Sequence, residues 1–272
     1  MLYQKHILAR LNELRKAEIL CDVILTTDKG EKRIPVHRLV LAASSSYFNS
    51  FFTGTSLARF SRETSLSGIS DEALEIIIDY IYSSKVLLTE DNIRDLLRLS
   101  SEFHLEYLKQ ECERFILKLI DCKNCLELRM LAGLYNCKEL LSETRKFISR
   151  NFNAVRTTKA FHFISVDLLL EIISDEDLHV NTEDQVYEAL SSWLNFDYKS
   201  RISSFPALLR VIRLPYLDRK LLTNEVEFDA RESPQSQKLL SETMKNITAC
   251  ERNRTLMQSL GTNPRYESGC HL

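Results

Sequence analysis

The chain has 272 residues, 44% of them apolar and 27% charged, with a formal net charge of −2. That balance fits globular domains and leaves no overall electrostatic footprint for nucleic acid or an anionic membrane. The length allows two domains, each with its own core, and six glycines and five prolines favour helices joined by short turns over a β-sandwich or propeller.

The opening MLYQKHILARLNELRKAEIL is too interrupted by charge for a signal peptide, and no apolar run approaches the roughly 20 residues of a membrane span. The expectation is a cytoplasmic or nuclear protein, not secreted, with seven cysteines as reduced thiols. Residues 5–17 read as a helix with Ile7, Leu8, Leu11 and Leu14 on one face. CDVILTT (21–27) and KRIPV (32–36) read as a hairpin. Pro35, lacking an N–H, suits an edge or a strand end.

Two short helices follow over 37–43 and 46–52, the second breaking at Gly54, and ETSLS is a third strand. SDEALEIIIDYIYS (70–83) predicts a helix with Ser70 as N-cap and two acids in its first turn. Its apolar positions run almost all round, so it should be central. KVLLT (85–89) reads as a short strand, and two amphipathic helices follow, Ile93, Leu96, Leu97 and Phe103 sharing a face of the first. The first 120 residues thus predict an α+β domain.

From about residue 121 the pattern is helical throughout. Thr182 and Gln185 have capping-box spacing ahead of Val186, Tyr187, Ala189, Leu190, Trp193 and Leu194. Ser204 and Pro206 start another helix, which Pro215 stops by disfavouring helix at Leu214. Beyond residue 248 the sequence turns polar and is expected to be loose.

CDVIL, VHRLVLAASSSYFNSFF and IIIDYIYSSKVLLTEDNIRDLLRLSSEFHLEYLKQECERFI together resemble a BTB/POZ domain. NCLELRMLAGLYNCKELLSETRKFISRNF, LHVNTEDQVYEALSSWL and FPALLRVIRLPYL resemble the BACK domain that follows BTB in kelch-like proteins. The resemblance implies an α+β BTB/POZ domain over 1–120, an all-α BACK domain over 121–247, and a flexible tail over 248–272. It also implies a homodimeric, non-catalytic adaptor that recruits cullin-3 to ubiquitinate a substrate protein the sequence does not name.

Carried over residue by residue, the resemblance places Ile7, Leu8, Leu11 and Leu14 across a partner subunit. Asp22 and Arg38 would lie close together near that interface, with burial favoured. Phe52 and Phe103 would border a cullin groove, and Leu57 would be its apolar anchor. The family has Glu two residues after that anchor, where this chain has Arg59. Leu126, Met130, Leu131 and Leu134 have the spacing to extend the groove, with core packing the favoured role for at least half of them. The charge reversal at Arg59 keeps open a dimerisation scaffold, or dominant-negative partner, that does not hold cullin. A BTB-type transcriptional regulator also stays open, although the chain has neither zinc fingers nor a basic stripe.

A kelch propeller would need several glycine-rich repeats of about 50 residues, and this chain has no Gly–Gly. A fragment, a short isoform and a protein working through BTB and BACK alone all remain open. CKNC (122–125) invites a zinc reading, but Cys112 and Cys137 stand far off on separate helices, and the resemblance places Cys112, Cys125 and Cys137 where such domains commonly bury a small residue. No metal, cofactor or catalytic residue is expected.

Overall fold

The computed structural model describes residues 2–28, 32–54, 61–231 and 233–252. The chain divides into two units, Met1–Leu119 and Ile120–Leu272.

In the first unit, β1 (Val23–Thr27) is wholly β-branched or leucine, residue types that fit a pleated, buried strand. It is the middle of three strands, β2–β1–β3. β2 (Arg33–Val36) pairs with it antiparallel and β3 (Glu63–Leu66) parallel. Pro35 faces Ile24, and because β2 is an outer strand, its missing donor leaves the ladder intact. The parallel partner demands a crossover, which β2, α2 (Arg38–Ser44) and α3 (Ser46–Thr53) occupy.

α4 (Asp71–Ser83) follows β3, its first turn capped by the Ser70 hydroxyl, which accepts the Ala73 N–H. Ala73, Leu74, Ile77, Ile78, Ile81 and Tyr82 are buried while Glu72 and Glu75 face solvent. The helix is central to its unit, packing against α1 (Leu2–Lys16), α2, β1 and α5 (Ile93–Glu102). α5 buries Ile93, Leu96 and Leu97, and Phe103 at its C-cap is buried too. It pairs with α6 (Glu106–Ile116).

The expected strand at KVLLT does not form. Side chains take its backbone groups instead. The Ser83 hydroxyl accepts the Lys85 N–H, and Asn92 accepts the Thr89 N–H while donating to the Leu87 carbonyl. Such bonds compete with a ladder.

Among its described residues the second unit forms helices and no strand. α7 (Cys125–Leu134) and α8 (Lys138–Arg150) pack as a pair, followed by α9 (Phe152–Val155), α10 (Val166–Ile173) and α11 (Asp184–Phe196). α12 (Tyr198–Arg201), α13 (Phe205–Leu209), α14 (Arg219–Leu221) and α15 (Glu227–Ala230) are short. α16 (Pro234–Arg252) is the longest helix of the unit. α11 buries Val186, Tyr187, Ala189, Leu190, Trp193 and Leu194. The Trp193 indole donates to the Ile164 carbonyl at 3.0 Å.

The Thr182–Gln185 capping box does not form. Gln185 instead accepts the Asn181 N–H, and Glu183, at the cap position, turns inward to accept the Arg213 N–H. A tertiary hydrogen bond has displaced the local one. α16 carries helix past residue 248, so the loose tail does not begin there; residues 253–272 lie outside the described residues.

Asp175 ties α8 to the end of α10. Its buried carboxylate accepts Arg145 Nε and Nη2 at 3.1 and 3.0 Å and the Ser149 hydroxyl at 2.6 Å. The Arg145 guanidinium and these hydrogen bonds hold its pKa down at about 2. A depressed carboxylate contributes stability above its unfolded pKa that is lost as pH falls through the folded one. Asp175→Asn should therefore cost about 2 kcal/mol at neutral pH. Urea unfolding across pH should show that gap closing between about pH 4 and 2.

Candidate functional site

α1 presents the stripe read from the sequence. Within one protomer Ile7 is exposed and Leu8, Leu11 and Leu14 are only half-buried. The helix is nonetheless fixed to α4: Arg15 is paired with Asp79 and lies over the Tyr82 ring, 5.1 Å from its centroid. The turn after α1 holds Glu18 and Leu20 in left-handed backbone, φ 54° and 60°, a conformation that costs energy for residues other than glycine. Leu20 stands exposed as a result, and so does Leu39 on α2.

His37, before α2, does not cap the helix with its side chain. The Tyr82 hydroxyl accepts the His37 backbone N–H at 2.9 Å and pairs with Nδ1 at 2.8 Å, while Nε2 meets the Ile19 carbonyl at 3.0 Å. Burial pushes the Tyr82 phenol up to about 12, keeping its proton.

Asp22 and Arg38 do meet. The Asp22 carboxylate accepts the Arg38 backbone N–H at 2.8 Å, capping α2. In the protomer Asp22 is exposed and Arg38 half-buried, so the burial expected of Asp22 is not supplied by its own chain. The Arg38 guanidinium turns to the Ser61 carbonyl and lies 5.5 Å from the Phe52 centroid.

Phe52 and Phe103 are core residues, 8% and 3% exposed. They pack with Phe48, while Tyr47 and Phe51 stack on each other half-exposed at the cluster's edge. The surface aromatics here are therefore Tyr47 and Phe51, which the sequence reading passed over. Gly54 ends α3 where a Cβ would sit 2.6 Å from the Ser50 carbonyl oxygen. Leu57 and Arg59 lie outside the described residues.

In the second unit the four α7 positions separate. Leu126 is buried in the core and Leu131 is half-buried, but Met130 is 55% and Leu134 71% exposed. Four residues apart, Met130 and Leu134 stand one turn above the other on the same face. Cys112, Cys125 and Cys137 are buried thiols. Among the described residues no group of His, Cys, Asp and Glu could hold a metal, and no helix is long and apolar enough to cross a membrane. The surfaces suit protein contact.

Denaturation separates these roles. Leu126→Ala should cost about 2–5 kcal/mol, whereas Met130→Ser and Leu134→Ser should each change stability by less than about 0.5 kcal/mol.

Comparison with known proteins agrees with this division. The profile of the BTB/POZ domain family matches residues 11–120, and that of the BACK family, BTB And C-terminal Kelch, matches residues 125–227. Among solved structures, the BTB domain of zebrafish PATZ1 is 29% identical, covering 43% of this chain and 92% of that one with a TM-score of 0.39. The BTB (Tramtrack and Bric a brac) domain of human Gigaxonin is 30% identical, covering 42% and 90% with a TM-score of 0.37.

Proposed function

Since this chain belongs to the proteins in which a BTB/POZ domain is followed by a BACK domain, we propose that it is a non-catalytic homodimeric adaptor recruiting a cullin-3 RING ubiquitin ligase. Both domains are protein-interaction modules, and a BTB adaptor or dimerisation scaffold is the coarse function they share. The observation that carries the finer reading is the uncovered Met130–Leu134 pair on α7. Two large apolar side chains left in water on one helix face act as anchors for a partner segment, and such anchors supply most of an interface's affinity.

The dimer rests on α1. Its stripe of Ile7, Leu8, Leu11 and Leu14 is incompletely covered by its own protomer, and a second copy would complete the burial. Asp22 and Arg38 are proposed at the edge of that contact. Leu8→Asp with Leu11→Asp should halve the molar mass measured by light scattering while leaving the circular dichroism spectrum unchanged.

Cullin binding is proposed for α3 and residues 55–60, with Leu57 as anchor and Phe52 and Phe103 bordering the groove, and separately for α7. Arg59 opposes it. A charge of the wrong sign at a rim costs about 1–3 kcal/mol, a loss of roughly 5- to 150-fold. Arg59 favours a second reading, a dimerisation partner that fails to hold cullin. Anisotropy with labelled cullin-3 N-terminal domain, carrying its N-terminal extension, tests the first. Met130→Asp with Leu134→Asp should weaken binding at least about tenfold, and Arg59→Glu should tighten it. Wild-type affinity in the first variant would remove α7 from the interface.

A further inference from the structure

Cys122 and Cys125 straddle the start of α7, and Asp121 builds the turn between them. Its carbonyl accepts the Cys125 N–H at 3.0 Å, and its carboxylate accepts the N–H groups of Lys123 and Asn124 at 2.7 and 2.8 Å. Asn124 answers by accepting the Asp121 N–H at 2.9 Å. Cys122 thus stands in the turn that leads into α7, three residues ahead of Cys125. A turn holds Cα atoms three residues apart within about 7 Å, which overlaps the range of about 4.4–6.8 Å that a disulfide spans.

The two thiols differ in setting. Cys125 is buried, its Sγ 3.8 Å from the Cys122 carbonyl oxygen, so the sulfur is turned back toward its neighbour. Burial and then the Cys122 thiol push the Cys125 pKa up to about 11. Cys122 is half-buried at the rim of the same core, within reach of solvent. An accessible sulfur beside a buried one is the arrangement of an attacking and a resolving thiol.

We propose that Cys122 and Cys125 close a reversible disulfide across the turn that leads into α7 when the protein meets a low-molecular-weight disulfide. The Cys122 thiol loses its proton to solvent, and the thiolate attacks one sulfur of the oxidant. That bond breaks, a mixed disulfide forms, and one thiolate leaves. Cys125, deprotonated in turn, attacks Cys122 Sγ and expels the second thiolate. Two cysteine thiols are oxidised and one external disulfide is reduced to two thiols.

The test uses the full chain and oxidised glutathione, followed by alkylation of free thiols, digestion and mass spectrometry. The expected product is a peptide spanning residues 122–125, lighter than the dithiol by two hydrogen atoms and restored by reductant. Its formation from the mixed disulfide should accelerate about tenfold per pH unit between about pH 7 and 9, because the buried thiol limits the step. Cys125→Ala should stop at glutathione on Cys122. The proposal is overturned if the wild-type peptide is recovered with both thiols alkylated, or with glutathione retained on Cys122 and Cys125 free.

Discussion

The phenol of Tyr82 is where three helices of the first unit are joined. Its oxygen accepts the His37 N–H that opens α2 and pairs with the His37 ring, and its face carries Arg15 at the end of α1. His37 then passes the connection to the Ile19 carbonyl, in the left-handed turn between α1 and β1. All of this is anchored in α4, whose apolar side chains fill the centre of the unit. Tyr82, together with the Arg15–Asp79 pair, thus helps hold α1 and its half-covered stripe in place.

Elsewhere, helices that bury one face leave large apolar side chains exposed on the other. α2 turns Leu41 inward, and Leu39, two residues earlier and so about 200° round the helix, faces water. α7 gives Leu126 to the core and leaves Met130 and Leu134 uncovered. Both domains therefore expose apolar side chains from helices whose opposite faces are locked, the property required of rigid docking elements.

Much of the fold was legible in the sequence because it is written in period and capping. α5 and α11 declared themselves by apolar spacing, α4 by Ser70, and the outer place of β2 by Pro35. The failures have two causes: flanking side chains took one strand's backbone groups, and a tertiary bond displaced one cap. KVLLT has strand composition, but Ser83 and Asn92 take its backbone groups. The Thr182 box lost to a bond from Glu183 to Arg213. At the candidate surfaces the limit was different, because residue type could not say which of Phe51 and Phe52, or of Leu126 and Leu134, would face out. Neighbouring elements decide that, and no periodicity within one short helix records them.

The account turns on whether the protein holds cullin-3 despite Arg59. A calorimetric titration of the dimeric, folded chain with the cullin-3 N-terminal domain, N-terminal extension included, measures this directly. Sub-micromolar binding at one cullin per chain is the expected result. No detectable heat would contradict it and leave a dimerisation partner without cullin.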